Sequence, residues 1–297
     1  MLEPLVDRHF LEKLERLTLH WQKSFDGLVG GHNISRFPGP GQEFLEHRSF
    51  HQGDDLRAVN WRAYLRFEKL FLKIFQVEPR VPVRLLLDTS ASMAAGSNPG
   101  NASKFDFARR LAAALVYVGL VRLDSILLQP FSRRLIDPFL ASGGRHRFQP
   151  AENFLRSLKA EGRTNYFDVA RDYLTTYLQR GLTIIISDFL DDADCLRPLQ
   201  YIADFGHELM LIQLWGPEDR EPTGKGELEL VDAESGAHAK IFLDDRARME
   251  YTQAFDAHAN ELKRLAMRNG GRYAGLSTRS PIEEIVFGPL FALSRIH

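Results

Sequence analysis

The chain is nearly devoid of cysteine. Its one thiol, Cys195, cannot close an intramolecular disulfide, which excludes a secreted disulfide-stapled scaffold. A Cys-ligated zinc or iron–sulfur site is excluded on the same ground. Long apolar runs are missing too. The longest, Leu111–Val121, lies between Arg110 and Arg122 and is about half the ~20 residues a membrane-spanning helix needs. It reads as a buried helix. The start, Met1-Leu2-Glu3-Pro4, has no basic head and no apolar signal core, so a soluble cytoplasmic protein is expected. Net charge is also absent: 38 Lys and Arg against 39 Asp and Glu leave −1, and bulk charge predicts neither a nucleic-acid nor a membrane partner. Lysine is scarce, with 9 Lys against 29 Arg, and seven of those Arg fall between residues 36 and 84. Arginine presents a planar, always-charged fork suited to carboxylates, although a GC-rich genome gives the same bias.

What remains is ordinary globular composition. The 297 residues are 44% hydrophobic and 26% charged, enough for one large domain or two small ones. Residues 1–24 carry an amphipathic helical period through Val6, Phe10, Leu14, Leu17 and Trp21. Residues 25–80 are rich in Gly, Arg, His and aromatics, broken at Gly30-Gly31 and Pro38-Gly39-Pro40-Gly41, and end in an alternating stretch, Lys69–Val77, that reads as a strand.

From residue 81 strands and helices alternate. Val83–Asp88 is a buried strand ending in an acid, and Ser103-Lys104-Phe105-Asp106 is a capping-box variant opening an apolar helix. Strands are expected at Asp124–Phe131, Arg133–Phe139, Leu182–Asp188, Glu208–Trp215 and Arg272–Leu276. Helices are expected at Glu152–Ala160, Tyr166–Arg180, Leu196–Asp204, along Tyr251–Leu265, and after Ser280-Pro281. A hairpin turning at Glu234-Ser235-Gly236 interrupts the alternation at about 216–245. The pattern predicts an α/β fold, a doubly wound, mostly parallel sheet covered on both faces. The predicted division is a front segment, 1–80, packed on a main domain, 81–297.

In such a sheet, ligands bind beyond the carboxyl ends of the strands where strand order reverses. Two strands here end in acids. After the first, Asp88-Thr89-Ser90-Ala91-Ser92 places a carboxylate and two hydroxyls at alternate positions. The second ends in Ser187-Asp188, and Gly162-Arg163-Thr164-Asn165 lies in a loop just before a helix. This hard, all-oxygen set suits Mg²⁺ or Mn²⁺, which keep several waters and need only one or two carboxylates. Asp88 is equally a cap for the turn that follows it. His32, His47 and His51 lack a clear third ligand and are expected to be surface or hydrogen-bonded residues. Cys195 follows the acidic run Asp191-Asp192-Ala193-Asp194, which disfavours a thiolate nucleophile.

Asp88-Thr89-Ser90-Ala91-Ser92-Met93, Thr164 and Asp188 resemble the metal-ion-dependent adhesion site of von Willebrand factor A-type domains. The resemblance implies a divalent cation held by Asp88, Ser90, Ser92 and Thr164, with Asp188 acting through water and a partner's acid completing the shell. The front segment narrows the match. Gly31-His32-Asn33-Ile34-Ser35, Gly39–Phe44, Arg48, Gly53-Asp54-Asp55-Leu56-Arg57, Val59–Arg66 and Leu70–Lys73 follow in order. That series is similar to the bacterial family called domain of unknown function 58, which joins such a segment to a von Willebrand A-like domain. Asn60 stands where that family usually has Asp. The resemblance covers roughly residues 25–290 and implies an adaptor or assembly partner of a MoxR-type AAA+ ATPase.

Arg48, Asp54, Asp55, Arg57, Trp61, Arg62 and Arg66 have two readings: ion pairs and caps around a Trp61 core anchor, or a charged surface for a partner protein. For the whole chain the leading expectation is a non-enzymatic, cation-dependent protein-binding module. The alternative is a metal-dependent hydrolase, a phosphatase or nuclease, using Asp88 and Asp188. Against it, no second acid stands two residues after Asp88, and neither a G-x-S-x-G elbow nor a G-x-x-x-x-G-K-[ST] loop is present.

Overall fold

A computed structural model of the chain describes residues 4–16, 35–38, 43–51, 59–77, 83–94, 103–122, 124–190 and 194–290. The chain forms two compact units: Met1–Val29 with Val81–His297, and Gly30–Arg80. The larger unit opens with helix α1 (residues 8–16), started by Asp7, whose side chain accepts from the Phe10 N–H at 2.8 Å. Leu17 and Trp21, expected on the same helix, lie outside the described residues.

The smaller unit is a three-stranded antiparallel sheet with a short helix. Its strands are β1 (Ser35–Pro38), β2 (Glu43–Ser49) and β3 (Phe71–Val77), in the order β1-β3-β2. A register shift between Phe44 and Glu46 marks a bulge in β2. The helix, α2 (Trp61–Phe67), was not expected from the sequence. Asn60 caps it by accepting from the Ala63 N–H at 3.3 Å, so the amide there fills the role a carboxylate would.

The rest of the larger unit is a doubly wound sheet. Six strands, β4 (Val83–Asp88), β5 (Ile126–Phe131), β6 (Phe139–Ala141), β7 (Leu182–Ser187), β8 (Glu208–Trp215) and β11 (Arg272–Ser277), lie in the order β11-β8-β7-β4-β5-β6. All pairs are parallel except β5 with the edge strand β6. The connections include α3 (Ala91–Ala94), α4 (Lys104–Val121), α5 (Phe148–Ser157), α6 (Tyr166–Thr176), α7 (Leu196–Asp204), α8 (Pro217–Arg220) and α9 (Asp245–Arg268). A separate antiparallel hairpin, β9 (Gly226–Val231) and β10 (His238–Leu243), fills the interruption before α9, and α10 (Ile282–Ile285) follows β11.

The continuous apolar runs reflect burial on both faces. Leu85, Leu87, Ile184 and Ile186 face one core with residues of α4 and α5. Leu86 and Ile185 face the other, with residues of α6, α7 and α9. Gly271, between α9 and β11, has no room for a side chain: a Cβ there would sit 2.1 Å from the Leu209 carbonyl oxygen.

Two expectations are corrected. The front segment, read as 1–80, divides near residue 30, because α1 belongs to the larger unit. Val6, Phe10 and Leu14 are buried in the core that α4 covers, and the Leu5 N–H donates to Glu152 at 2.6 Å. The strand expected at Arg133–Phe139 is a turn followed by the short β6. The Ile136 N–H returns to the Pro130 carbonyl at 2.9 Å, and Pro138 offers no N–H to a ladder. Phe10 is 2% exposed and meets Phe287 edge-on at 5.8 Å. Phe10→Ala is therefore expected to cost about 3–5 kcal/mol, read as a lowered urea midpoint. A midpoint within error of the parent chain would remove α1 from the core.

Candidate functional site

Strand order reverses between β4 and β7, because the chain runs from β4 outward through β5 and β6 and then returns to β7 on the other side. Their carboxyl ends are neighbours, with Leu87 opposite Ile186. This puts Asp88 and the Ser187-Asp188 pair at the switch point, where an open α/β sheet binds ligands. Asp88, Ser90 and Ser187 are fully buried, and Asp188 is nearly so.

Asp88 is held by donors from both strand ends. Its Oδ1 accepts from the Ser90 N–H at 2.9 Å, and its Oδ2 from the Ser187 hydroxyl at 2.6 Å. Ser187 Oγ accepts in turn from the Phe189 N–H at 3.0 Å and lies 2.6 Å from the Tyr166 hydroxyl. The Ser90 and Ser92 hydroxyls are 2.9 Å apart. The loop carrying Thr164 is stapled alongside: the Ala91 N–H donates to the Gly162 carbonyl at 2.9 Å, and Glu161 N–H to the Thr89 carbonyl at 2.8 Å. Gly162 makes this approach with φ +85°, a conformation that favours glycine.

A buried lysine completes the arrangement. Lys104, the first residue of α4, donates to Asp188 Oδ2 at 2.8 Å and pairs with Asp219 Oδ2 at 3.0 Å. Asp219 Oδ2 also accepts from the Gly216 N–H at 2.7 Å. Burial works against the ammonium, but the two carboxylates outweigh it and hold the Lys104 pKa above its ordinary value. Among the described residues Asp88 has no such partner. Burial, reinforced by the Asp188 charge, pushes its carboxyl up to about 7 against the pull of Ser187 and Ser90. Burial and then the Asp88 charge hold the Tyr166 phenol well above its ordinary range, so it remains a donor.

These residues fit a divalent cation. Two carboxylates, Asp188 and Asp219, pair with the buried ammonium of Lys104, and Asp88 lies close enough to Asp188 to feel its charge. Asp88, which has no ion-pair partner among the described residues, lies beside the Ser90 hydroxyl, itself 2.9 Å from that of Ser92, and these oxygens are hard donors. Among the described residues no three His, Cys, Asp or Glu side chains gather as a metal cage, so the hydroxyls would share the work.

The structure brings Asp88, Ser90, Ser92 and Asp188 together at the switch point, with the Thr164 loop bonded alongside. Asp188, expected to act through water, is turned to Lys104. Thr164 bonds the side chain of Glu234 instead of Asp88, Ser90 or Ser92. Lys104, Asp219 and Glu234 were not singled out as site residues from the sequence. Of the proposed partner residues, Asp54, Asp55 and Arg57 lie outside the described residues. Trp61, expected as a core anchor, is 57% exposed at the start of α2, where Ala63 is the buried residue. Arg62 and Arg66 are exposed, and Arg48 Nη1 lies 3.0 Å from Nδ1 of His51. Cys195 is buried, its Sγ 4.0 Å from the Phe189 carbonyl.

Fold and site together define an α/β domain of the doubly wound class with an oxygen-rich candidate cation site at its topological switch. The chain belongs to the family described as "Protein of unknown function DUF58", which matches residues 46–261. An uncharacterized protein of Mycobacterium tuberculosis is 28% identical over 270 residues, covering 89% of this chain and 84% of that one. A counterpart in Mycobacterium bovis, also uncharacterized, matches with the same identity and coverage. Among solved structures, the conserved hypothetical protein BatB from Bacteroides thetaiotaomicron aligns at TM-score 0.40 and 17% identity over 72% of this chain and 99% of that one. The SpRpn10 VWA domain aligns at TM-score 0.39 and 12% identity, over 69% and 93%. No helix among the described residues is long and apolar enough to cross a membrane.

The raised Asp88 pKa sets a pH dependence. The folded chain holds this proton more tightly than the unfolded chain. Its contribution is therefore fully present below about pH 4 and is lost as pH rises through about 7. Asp88→Asn removes that loss. In EDTA its Tm is expected to exceed the parent's by several degrees at about pH 8, with the gap narrowing towards pH 4. A variant that melts below the parent across that range contradicts this electrostatic account.

Proposed function

We propose that this chain is a non-enzymatic protein-binding module whose switch-point site takes Mg²⁺ or Mn²⁺ and, with it, an acidic side chain of a partner protein. The observation that carries the reading is the geometry at the switch point: a fully buried Asp88 carboxyl, without an ion-pair partner among the described residues, beside the Ser90 hydroxyl that lies 2.9 Å from that of Ser92. Asp88, Ser90, Ser92 and Thr164 would hold the cation, with Asp188 contributing through water. When bound, the cation supplies positive charge and open positions for a carboxylate.

The chain's own residues favour holding over attacking. Both Asp88 oxygens already accept hydrogen bonds, from Ser90 and Ser187, and the side chain is fully buried. Lys104 keeps Asp188 and Asp219 fixed through a buried ammonium rather than offering a proton to a leaving group. These features support binding over hydrolysis. The resemblance noted in the sequence implies a MoxR-type AAA+ ATPase, or its client, as the proposed partner, with this chain as adaptor or assembly factor.

The test is capture from an extract of the native organism on the immobilised full chain, with retained proteins identified by mass spectrometry. Proteins that bind through the site should be retained in Mg²⁺ and lost both in EDTA and with Asp88→Ala, while the far-UV spectrum stays that of a folded α/β protein. Retention that persists in EDTA and in the variant contradicts the proposal.

A further inference from the structure

The hairpin β9–β10 is an exposed ribbon whose tip is bonded to Thr164, in the loop before α6. Most of its residues face solvent, including Leu230, Val231 and Phe242. An isolated two-stranded hairpin is marginal in water, so its placement depends on what it is fastened to. At its base, the Arg248 guanidinium donates to the Gly224 carbonyl at 2.6 Å, and Leu243 is buried. At its tip, the turn is organised around Asp232, whose Oδ1 accepts from the Glu234 N–H at 3.0 Å and from the Ser235 hydroxyl at 2.6 Å. The Ser235 hydroxyl and N–H are the main reason the Asp232 carboxyl lies below its ordinary range, and the Arg163 charge adds to the effect.

This turn presents Glu234 to the loop before α6. Its carboxylate takes both donors of one residue: the Thr164 N–H donates to Oε2 and the Thr164 hydroxyl to Oε1, each at 3.0 Å. A two-point bond between residues 70 apart in sequence fixes position, and bonds to a charged acceptor are the stronger kind. Thr164 is also the one proposed cation-holding residue that comes from this loop. A hydroxyl that donates its single proton to Glu234 keeps its lone pairs for a cation. The contact is therefore compatible with a cation on the other side of the Thr164 hydroxyl, and it holds the Glu234 carboxylate against that residue.

We propose that Glu234 is the chain's own acidic ligand of the switch-point site, delivered by the β9–β10 hairpin to the cation that Thr164 helps to hold. The ribbon is then a tethered stand-in for the partner's acid, and a partner reaches the site by displacing Glu234. This rests on the cation reading given above.

The experiment is titration calorimetry with Mn²⁺ alone on the full chain, on Glu234→Gln, and on Glu229→Gln as a control on the same hairpin. Glu229 is exposed and faces His238. Amide hydrogen exchange of the same proteins in EDTA reports the docking. Glu234→Gln should weaken Mn²⁺ binding by about tenfold and speed exchange at Thr164 and residues 226–243 by a similar factor, whereas Glu229→Gln changes neither. If the parent chain binds Mn²⁺ and Glu234→Gln binds it equally well, the ligand role is overturned while the cation reading stands. If the parent binds no Mn²⁺, both fall.

Discussion

Two acids buried side by side at the ends of β4 and β7 govern this molecule. Removing a carboxylate from water costs several kcal/mol unless something replaces the solvent. For Asp188 the replacement is Lys104, which also gathers Asp219 from α8. For Asp88 it is a backbone N–H and the hydroxyls of Ser187 and Ser90, with no cation among the described residues, and the carboxyl responds by holding its proton up to about pH 7. The sheet topology creates this problem by bringing both strand ends to one point, and the surrounding loops are arranged around the charge that is left over.

Lys104 shows how strong the constraint is. A cation in the first turn opposes the helix dipole, and α4 has Lys at its first position. Ser103 starts the helix there, its hydroxyl accepting from the Asp106 N–H at 2.9 Å, and the ammonium is then taken up by two acids instead of solvent. The Tyr166–Ser187–Asp88 chain of hydrogen bonds comes from α6 and β7 and fixes the same point from the opposite face of the sheet.

Much of this was readable in the residues because the signals are local. Leu182–Ser187, Leu196–Asp204 and Glu208–Trp215 follow from short apolar runs and their breakers, and Asp88, Ser90, Ser92 and Asp188 from strand ends. The short edge strand β6 and the helix α2, which buries only Ala63, carry too little pattern to be seen. Lys104, Asp219 and Glu234 were invisible for another reason: their partners lie far away in sequence, and only the folded chain pairs them. A lysine opening an almost wholly apolar helix was the one available hint. For Trp61, aromatic character suggested a core position, and the position at the first turn of an exposed helix decided otherwise.

In the proposed function a bound cation would replace the proton that Asp88 holds. This replacement is tested most directly by counting protons released as Mn²⁺ binds, using calorimetry in buffers of different ionisation enthalpy. With a carboxyl held at about 7, release should approach one proton per Mn²⁺ at about pH 6 and fall to none at about pH 9. Binding without proton release at the lower pH, or no binding at either, would contradict the account.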